Sequence, residues 1–327
     1  PLLPLVDLPA ESFDISSDSS TASTISTAST ISTASTISAA STISAALTVK
    51  HGAIAQQIRA ACTDWGFFYL RNHGLSADLI QSVFDQAAAF FQLPLAEKEA
   101  LAWSSSSQNR GYVGLGRECL NPEQTVDSKE ALNLGQEAIA PNLWPTALPN
   151  FQAVINEFYQ AANQLALRVL DYLALGLELP PDFFTCHHQQ RFHTLRLLHY
   201  PPALTPGIRA GAHTDYGSIT LLFQHRQAGL EVQTPRGQWQ SAQPIDDAVL
   251  VNIGDLLQRW TGDRYRSTPH RVVTPSQSGQ ASRYAIALFC EPDPETLVTA
   301  LPNAQGYSYP PVRALDYLLS RLQATYG

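Results

Sequence analysis

Apolar residues at helical spacing predict several helices before the middle of the chain and one at its end. The clearest helix begins at Ser76, which suits an N-cap, and places Leu79, Val83, Phe84 and Phe90 along one side. The same spacing predicts helices over residues 52–65, 151–177 and 310–326.

From about Arg191 the pattern changes to short apolar alternations separated by turn residues. The segments read TLRLLHYPP, GSITLLFQ, GLEVQTPRGQWQ, AVLVNIGD, HRVVTP and SRYAIALFC. Short strands in quick succession are typical of a sandwich or barrel and not of alternating strand–helix units. The pattern therefore predicts an α+β fold with helices first, an antiparallel β core next and a closing helix.

A six-residue repeat interrupts this plan near the N-terminus. From Ser20 to Val49 the chain reads STASTI three times, then SAASTI and SAALTV. Isoleucine at every sixth position does not fit one face of a helix, although it fits strand parity or stacked rungs. Because such a composition has little apolar surface to bury, we expect a disordered or weakly ordered insertion without chemistry.

Charge and composition narrow the range of partners and compartments. A net charge of -8 disfavours nucleic acid as the main partner. No apolar run approaches the ~20 residues needed to cross a bilayer, and the first residues lack the basic flank of a signal peptide. The cysteines lie at positions 62, 119, 186 and 290 without a C-x-x-C pair. We expect free thiols and a cytoplasmic protein.

The best candidate for chemistry is an H-x-D pair formed by His213 and Asp215. In an extended segment, alternate side chains project to the same side, so both can face one point. His270, which precedes the alternating strand HRVVT, is the candidate third ligand. Two histidines and one carboxylate on one face of a metal leave three positions open, which is the facial triad of non-haem Fe(II) oxygenases.

A second group of residues predicts a slot for an anion. In RYAIALF, Arg283 shares a face with Ala285 and Ala287, and in RLLHY the phenol of Tyr200 can serve the same anion. Burying a guanidinium without a partner is costly, so a carboxylate is expected beside it. The stretch CHHQQRFH also holds metal-capable residues, but a second metal site there would need a closed ligand geometry, and we do not favour it.

The stretches GAHTDYGSITLL, VNIGDLLQRWTGDRYRSTPHRVV and SRYAIALF resemble the isopenicillin N synthase-like group of Fe(II)/2-oxoglutarate-dependent dioxygenases. LPLVDL, WGFFYLRNHG, NRGYVGLG and SKEALNLG resemble the N-terminal region of that group. The resemblance implies a double-stranded β-helix, or jelly-roll, core at residues 181–327 that includes the C-terminal helix. A mainly helical region at 1–180, with the repeat inserted at 20–49, would precede it.

The resemblance also implies the chemistry. His213, Asp215 and His270 would bind Fe(II). Arg283 would grip the distal carboxylate of 2-oxoglutarate, and Tyr200 matches the co-substrate tyrosine of the family. The expected reaction uses O₂ and 2-oxoglutarate to oxidise a C–H bond of a small organic molecule. The outcome would be hydroxylation, desaturation or cyclisation, with release of succinate and CO₂.

The chain departs from the family pattern at two positions. Ala285 stands where the family usually has serine, and Leu198 stands where plant-type members often have asparagine. A lost neutral hydrogen bond costs ~0.5–1.5 kcal/mol, so 2-oxoglutarate binding would be weakened. Two alternatives therefore stay open. One is an oxidase of the same fold whose arginine holds the substrate's own carboxylate, and the other is a non-catalytic jelly-roll binding protein.

Overall fold

The computed structural model describes residues 3–9, 33–102, 109–118, 127–203, 205–274, 281–302, 306 and 309–326. The α-helices in this part of the chain are α1 Thr33–Asp64, α2 Ala77–Gln92, α3 Leu95–Glu99, α4 Phe151–Gly176, α5 Asp255–Trp260 and α6 Ala314–Tyr326. None of these described helices combines the length and the apolar character needed to cross a membrane.

Most of the strands belong to one eight-stranded sheet with the order β1-β2-β10-β7-β12-β5-β4-β3. Its strands are β1 Leu5–Asp7, β2 Phe67–Arg71, β3 Gly111–Val113, β4 Glu130–Gly135, β5 Thr194–Tyr200, β7 Ile219–Gln224, β10 Ala248–Ile253 and β12 Arg283–Cys290. A four-stranded sheet has the order β6-β11-β8-β9, with β6 Ile208–His213, β8 Leu230–Gln233, β9 Trp239–Ser241 and β11 His270–Val273. A third sheet pairs β13 Leu297–Val298 with β14 Val312–Arg313.

Each face of the eight-stranded sheet is buried in a different cluster. On one face, residues such as Leu197 of β5 pack with Ile58 of α1 and Phe158 of α4. On the other face, Ala285 of β12 belongs to a cluster that includes Val272 from the four-stranded sheet. Strand alternation explains the division, because neighbouring side chains point to opposite faces. The second cluster lies between the two sheets, next to the candidate site.

The predicted helices are confirmed, except that the last begins at Ala314 instead of residue 310, because Val312–Arg313 pair with β13 as a strand. The hydroxyl of Ser76 accepts a hydrogen bond from the backbone N–H of Leu79 at 3.2 Å, so Ser76 caps α2. Val83, Phe84 and Phe90 are buried along one side of that helix. The predicted core strands are also present, as β5, β7, β8, β9, β10, β11 and β12. The strands β3, β4, β6, β13 and β14 had not been predicted.

The structure corrects the expectation for the repeat. Residues 33–49 form the first half of α1, which continues to Asp64, while residues 20–32 lie outside the described residues. The second half of α1 buries Ile54, Ile58 and Cys62 and so anchors the helix. Once a helix is nucleated, each added residue gains a hydrogen bond at little further cost, and the alanines of the repeat favour this. The isoleucine spacing is therefore a poor guide to the local conformation.

The eight-stranded sheet takes four strands from residues before position 180 and four from residues after it. Strand β2 pairs with β10, and β4 pairs with β5, so both joins are made by backbone hydrogen bonds. The division into regions 1–180 and 181–327 stays a prediction.

Candidate metal centre

Three side chains converge where the four-stranded sheet ends. His213 is the last residue of β6 and pairs directly with His270, the first residue of β11. Asp215 follows two residues after His213. One ligand atom from each of the three residues lies within 4.8 Å of the other two, and no other group of three such residues is found in the described part of the chain. The structure thus brings the predicted triad together.

The ring nitrogens that face away from this point are hydrogen-bonded. Nδ1 of His213 lies 2.7 Å from the carbonyl oxygen of Gly211, and Nδ1 of His270 lies 3.2 Å from that of Thr268. A carbonyl oxygen only accepts, so Nδ1 donates in both rings. Each neutral ring then keeps the lone pair on Nε2 for a metal, which is the usual orientation of metal-bound histidine.

One oxygen of Asp215 is held in the same way. Its Oδ2 accepts hydrogen bonds from the Thr220 hydroxyl at 2.6 Å and from the Asn252 amide at 2.7 Å. Its Oδ1 lies 3.7 Å from Nε2 of His270 and points into the cluster. Thr220 and Asn252 had not been predicted from the sequence, although an asparagine inside the apolar strand AVLVNI was an available signal.

The electrostatics favour the forms that bind a cation. Burial and the neighbouring His270 hold the pKa of His213 well below its ordinary value, so its imidazole is neutral. Burial acts to raise the pKa of Asp215, but His270, His213 and the two hydrogen-bond donors lower it more. Neutral imidazole and ionised carboxylate are the forms required of metal ligands. This donor set fits Fe(II).

The predicted anion slot lies on the neighbouring strands. Arg283 begins β12 and pairs directly with Tyr200, the last residue of β5. The guanidinium lies 5.0 Å from the centre of the Tyr200 ring and donates to Gln224 Oε1 at 3.3 Å. Arg283 is only 6% exposed, and burial lowers its pKa. Within the described residues it forms no ion pair, so an anion placed here would relieve a costly unpaired charge.

A second buried arginine, which the sequence analysis missed, lies beside the slot. The guanidinium of Arg209 is 5.9 Å from the centre of the Tyr200 ring and donates to the carbonyl oxygens of Ser128 and Pro201. Burial lowers the pKa of Arg209, and the charge of Arg283 lowers it further. The two cations make the surroundings of Tyr200 strongly electropositive.

A cavity of about 110 Å³ adjoins the triad. It reaches from Tyr200 and Ala210 past His213 and Asp215 to α6. Its other lining residues are Asn109, Lys129, Arg196, Leu198, Thr214, Tyr216, Phe289, Glu291, Leu318 and Leu322. The segment near residue 109 and the C-terminal helix therefore both contribute to the cavity. Glu291 had not been singled out.

A buried ion network fixes the strand that carries the first ligand. Lys129 lies 3.0 Å from a carboxylate oxygen of Glu118 and also contacts Asp127, while Arg196 contacts Glu118. The other oxygen of Asp127 accepts from the backbone N–H of Gly211 at 3.0 Å. Since Gly211 also receives the Nδ1 bond of His213, the N-terminal region helps to orient this ligand.

Two histidines of CHHQQRFH, His188 and His193, make buried hydrogen bonds in the core. His188 uses both ring nitrogens within the protein, with Phe184 O at 2.8 Å and Ser218 Oγ at 3.0 Å. His193 is fully buried and contacts the side-chain oxygen of Asn163. These contacts support the structural interpretation of this stretch.

Two family models match the chain. The model described as non-haem dioxygenase in morphine synthesis N-terminal matches residues 39–147. The model described as 2OG-Fe(II) oxygenase superfamily matches residues 188–292, a range that contains the whole triad and Arg283.

Known proteins are similar over most of the chain. The 2-oxoglutarate-Fe(II) type oxidoreductase hxnY of Emericella nidulans is 37% identical over 302 residues, which cover 84% of this chain and 85% of that protein. The proline hydroxylase buaE of Petromyces alliaceus is 35% identical, with coverage of 84% and 94%. A full-length Neurospora crassa protein solved in complex with alpha-KG and thymine has a TM-score of 0.78 at 35% identity, covering 84% of this chain and 91% of that one. The predicted α+β fold with a jelly-roll core is confirmed.

Proposed function

The chain belongs to the 2OG-Fe(II) oxygenase superfamily, and from that membership we propose which of its residues hold the iron and the 2-oxoglutarate. The protein is an oxidoreductase that oxidises small organic molecules with Fe(II), 2-oxoglutarate and O₂. We assign Fe(II) to His213, Asp215 and His270. We assign the far carboxylate of 2-oxoglutarate to Arg283 and Tyr200.

The orientation of the ligand atoms carries the iron assignment. The three residues each have their outer polar atom occupied by the protein, whereas the inner atoms gather within 4.8 Å. Buried polar atoms are rarely left together without a partner, so a cation at their centre accounts for the arrangement. When bound, the iron supplies the oxidising chemistry, and the protein supplies geometry and a water-poor cavity.

The unpaired charge of Arg283 supports the 2-oxoglutarate assignment over the oxidase alternative. A carboxylate can accept two parallel hydrogen bonds from a guanidinium, and Gln224 is a weak substitute at 3.3 Å. The relatives that are named as 2-oxoglutarate-dependent, and the Neurospora crassa complex with alpha-KG, favour the same assignment. Ala285 pairs with Leu198 on the adjacent strand β5, and these two side chains form an apolar wall beside the guanidinium.

Several finer features are part of the proposal. The Neurospora crassa protein was solved with thymine, which supports a substrate of comparable size for this chain. Among the three outcomes expected from the sequence, we propose hydroxylation, because the relative buaE is named a proline hydroxylase.

A cytoplasmic location is supported by the free thiols of Cys62, Cys186 and Cys290. The acidic charge supports a reaction without nucleic acid.

Removing one ligand tests the iron site directly. We expect His270→Ala to lose Fe(II) affinity by more than ~100-fold and to stop releasing succinate, because two ligands cannot retain iron against solvent. Anaerobic Fe(II) titration followed by a succinate assay in air measures both effects. His225→Ala is the matched control, because His225 is half-buried at the end of β7 and contacts Phe84 instead of the triad. Near-normal succinate release from His270→Ala would exclude the assigned triad.

A further inference from the structure

One face of β12 leads from the proposed co-substrate slot to the cavity beside the triad. Alternation places Arg283, Ala285 and Phe289 on the same face, and Glu291 continues that parity directly after the strand. Phe289 and Glu291 both line the cavity, at the end away from the co-substrate slot. The position therefore lies where the organic substrate would meet the protein.

The side chain of Glu291 is built into the wall, and one of its two carboxyl oxygens lacks a partner. It is 7% exposed, and its Oε2 atom is buried without a hydrogen bond to any described residue. The backbone N–H groups of Thr194 and of Glu291 itself act to lower the pKa of the same carboxyl group. Arg110 is near enough to influence this carboxyl but forms no ion pair with it among the described residues. Leaving a buried oxygen unsatisfied is unfavourable, so a ligand that bonds Oε2 gains affinity.

The surroundings favour the neutral acid form. Burial raises the pKa of Glu291 well above its ordinary value, although the positive charge of Arg110 acts to lower it. A protonated carboxyl group presents one donor and one acceptor on the same edge. A ring N–H beside a ring carbonyl presents the complementary acceptor and donor, so the two edges can pair through two hydrogen bonds.

The size and walls of the cavity limit the ligand further. The volume of about 110 Å³ is of the same order as the ~150 Å³ of a protein cavity that accepts benzene. Phe289, Leu318 and Leu322 supply apolar walls around the polar edge. A molecule of about one small ring, apolar except along one edge, matches this lining.

We propose that Glu291 selects the substrate, and that the substrate is a small cyclic amide whose N–H and adjacent carbonyl pair with the Glu291 carboxyl group. The inference rests on the proposed function, since it takes the cavity beside the iron ligands as the substrate site. It assigns Glu291 to substrate recognition and gives it no part in holding Fe(II) or 2-oxoglutarate.

Ring amides with and without an N–H test the pairing. The probes are thymine and 2-piperidone, and their N-methylated counterparts are 1,3-dimethylthymine and N-methyl-2-piperidone. Each is titrated anaerobically into the protein loaded with Fe(II) and 2-oxoglutarate. We expect the N–H probes to bind at least about tenfold more tightly than the N-methylated ones, the effect of one buried hydrogen bond.

Two variants separate the hydrogen bond from the space that a methyl group needs. Glu291→Gln keeps one donor and one acceptor, so its affinity for the N–H probes should stay within about threefold. Glu291→Leu keeps similar volume without polar atoms and should lose about tenfold or more for the N–H probes, with no loss for the N-methylated ones. Fe(II) and 2-oxoglutarate affinities should be unchanged in all three proteins. If Glu291→Leu does not fold, the preference of the wild type and of Glu291→Gln for N–H over N-methylated probes still tests the pairing.

Three results would overturn the inference. They are no binding of either N–H probe at about 10 mM, equal binding to Glu291→Leu and wild type, or equal losses in Glu291→Gln and Glu291→Leu. The same titrations report on the proposed function separately. A wild-type protein that fails to bind Fe(II) and 2-oxoglutarate would refute that function, whereas normal binding of both with no amide selectivity refutes only the role of Glu291.

Discussion

Under the proposed assignment, Arg283 would hold a carboxylate with little help from its neighbours. Ala285 provides no hydroxyl where the family resemblance implies serine, and the guanidinium hydrogen-bonds the side chains of Gln224 and Tyr200. The ring of Tyr200 lies against the same guanidinium. The planar fork of arginine can bond both oxygens of a carboxylate, which a lysine ammonium cannot reproduce.

We expect Arg283→Lys to weaken 2-oxoglutarate binding by ~1.5–3 kcal/mol, or roughly ten- to hundredfold. Ala285→Ser should restore one donor and tighten binding by up to about tenfold. Anaerobic titration of 2-oxoglutarate with Mn(II) in place of Fe(II) measures both changes. Arg271→Lys is the control, because Arg271 pairs with Glu231 on the neighbouring strand β8. If Arg283→Lys instead weakens only the organic substrate, the arginine belongs to the substrate site.

At the scale of elements, the sequence predicts what depends on local periodicity. The parity of H-x-D correctly places His213 and Asp215 on one side, and the alternation in RYAIALF correctly gives the face of Arg283. The pairing of His213 with His270 depends on the register of β6 against β11, which is irregular and has no local signal. Strand β6, IRAGAH, was missed because its small residues hide the alternation.

The supporting residues were missed for a related reason. Asn252 and Thr220 matter only because β10 and β7 pair in the register that sets them opposite each other beside Asp215. Asp255 behaves similarly: its carboxylate accepts from Thr214 at 3.0 Å and from Ser267 at 2.7 Å. Long-range contacts of this kind cannot be read from spacing along one segment.

The C-terminal helix closes the cavity and is tied to the metal segment. Leu318 and Leu322 of α6 line the cavity, and Arg321 of the same helix lies 3.1 Å from Asp255. Arg321 also stacks over the Tyr216 ring at 4.9 Å. Since Asp255 holds Thr214 between two assigned ligands, this ion pair links closure of the cavity to the triad.

We expect Arg321→Gln to loosen α6 without unfolding the protein, because a partly exposed ion pair contributes up to about 1 kcal/mol. Substrate affinity should fall about fivefold, and more succinate should form per molecule of substrate oxidised, while Fe(II) affinity stays the same. Parallel assays of succinate and oxidised product measure this coupling. Arg313→Gln is the control, because Arg313 precedes the helix and its exposed ion pairs with Glu295 and Asp316 involve no residue that lines the cavity. If both variants form the same amount of succinate per molecule of substrate oxidised, α6 does not close the cavity in the way proposed.

At the scale of the whole molecule, one buried carboxylate joins elements from both halves of the chain. Glu130 of β4 accepts hydrogen bonds from Lys98 near the end of α3 at 2.8 Å and from Tyr112 of β3 at 2.5 Å. Its other oxygen bonds His199 of β5 at 2.7 Å, and this histidine reaches Ser282 at 3.0 Å. His199 and Ser282 immediately precede Tyr200 and Arg283. The network therefore connects β5 and β12, the two strands that carry Tyr200 and Arg283, next to these residues.

This network predicts how stability depends on pH. Burial acts to raise the pKa of Glu130, but hydrogen bonds from His199, Lys98 and Tyr112 outweigh it and lower the pKa to about 2. A carboxyl whose pKa is lower in the folded than in the unfolded state stabilises the fold above the unfolded value, here 4.5. That stability, about 3 kcal/mol, is lost as the pH falls from about 4.5 towards 2.

We therefore expect Glu130→Gln to be less stable than wild type at pH 7, and the difference to shrink as the pH falls through this window. Urea unfolding at pH values from 7 to about 3 measures the free energy of unfolding of both proteins. Glu97→Gln is the control, because Glu97 is exposed on α3, the helix that also carries Lys98. Since His199 and Ser282 adjoin the anion slot, the 2-oxoglutarate affinity of Glu130→Gln should fall as well. A stability difference that stays constant with pH would show that Glu130 acts through packing alone and that its charge is not what joins the two halves.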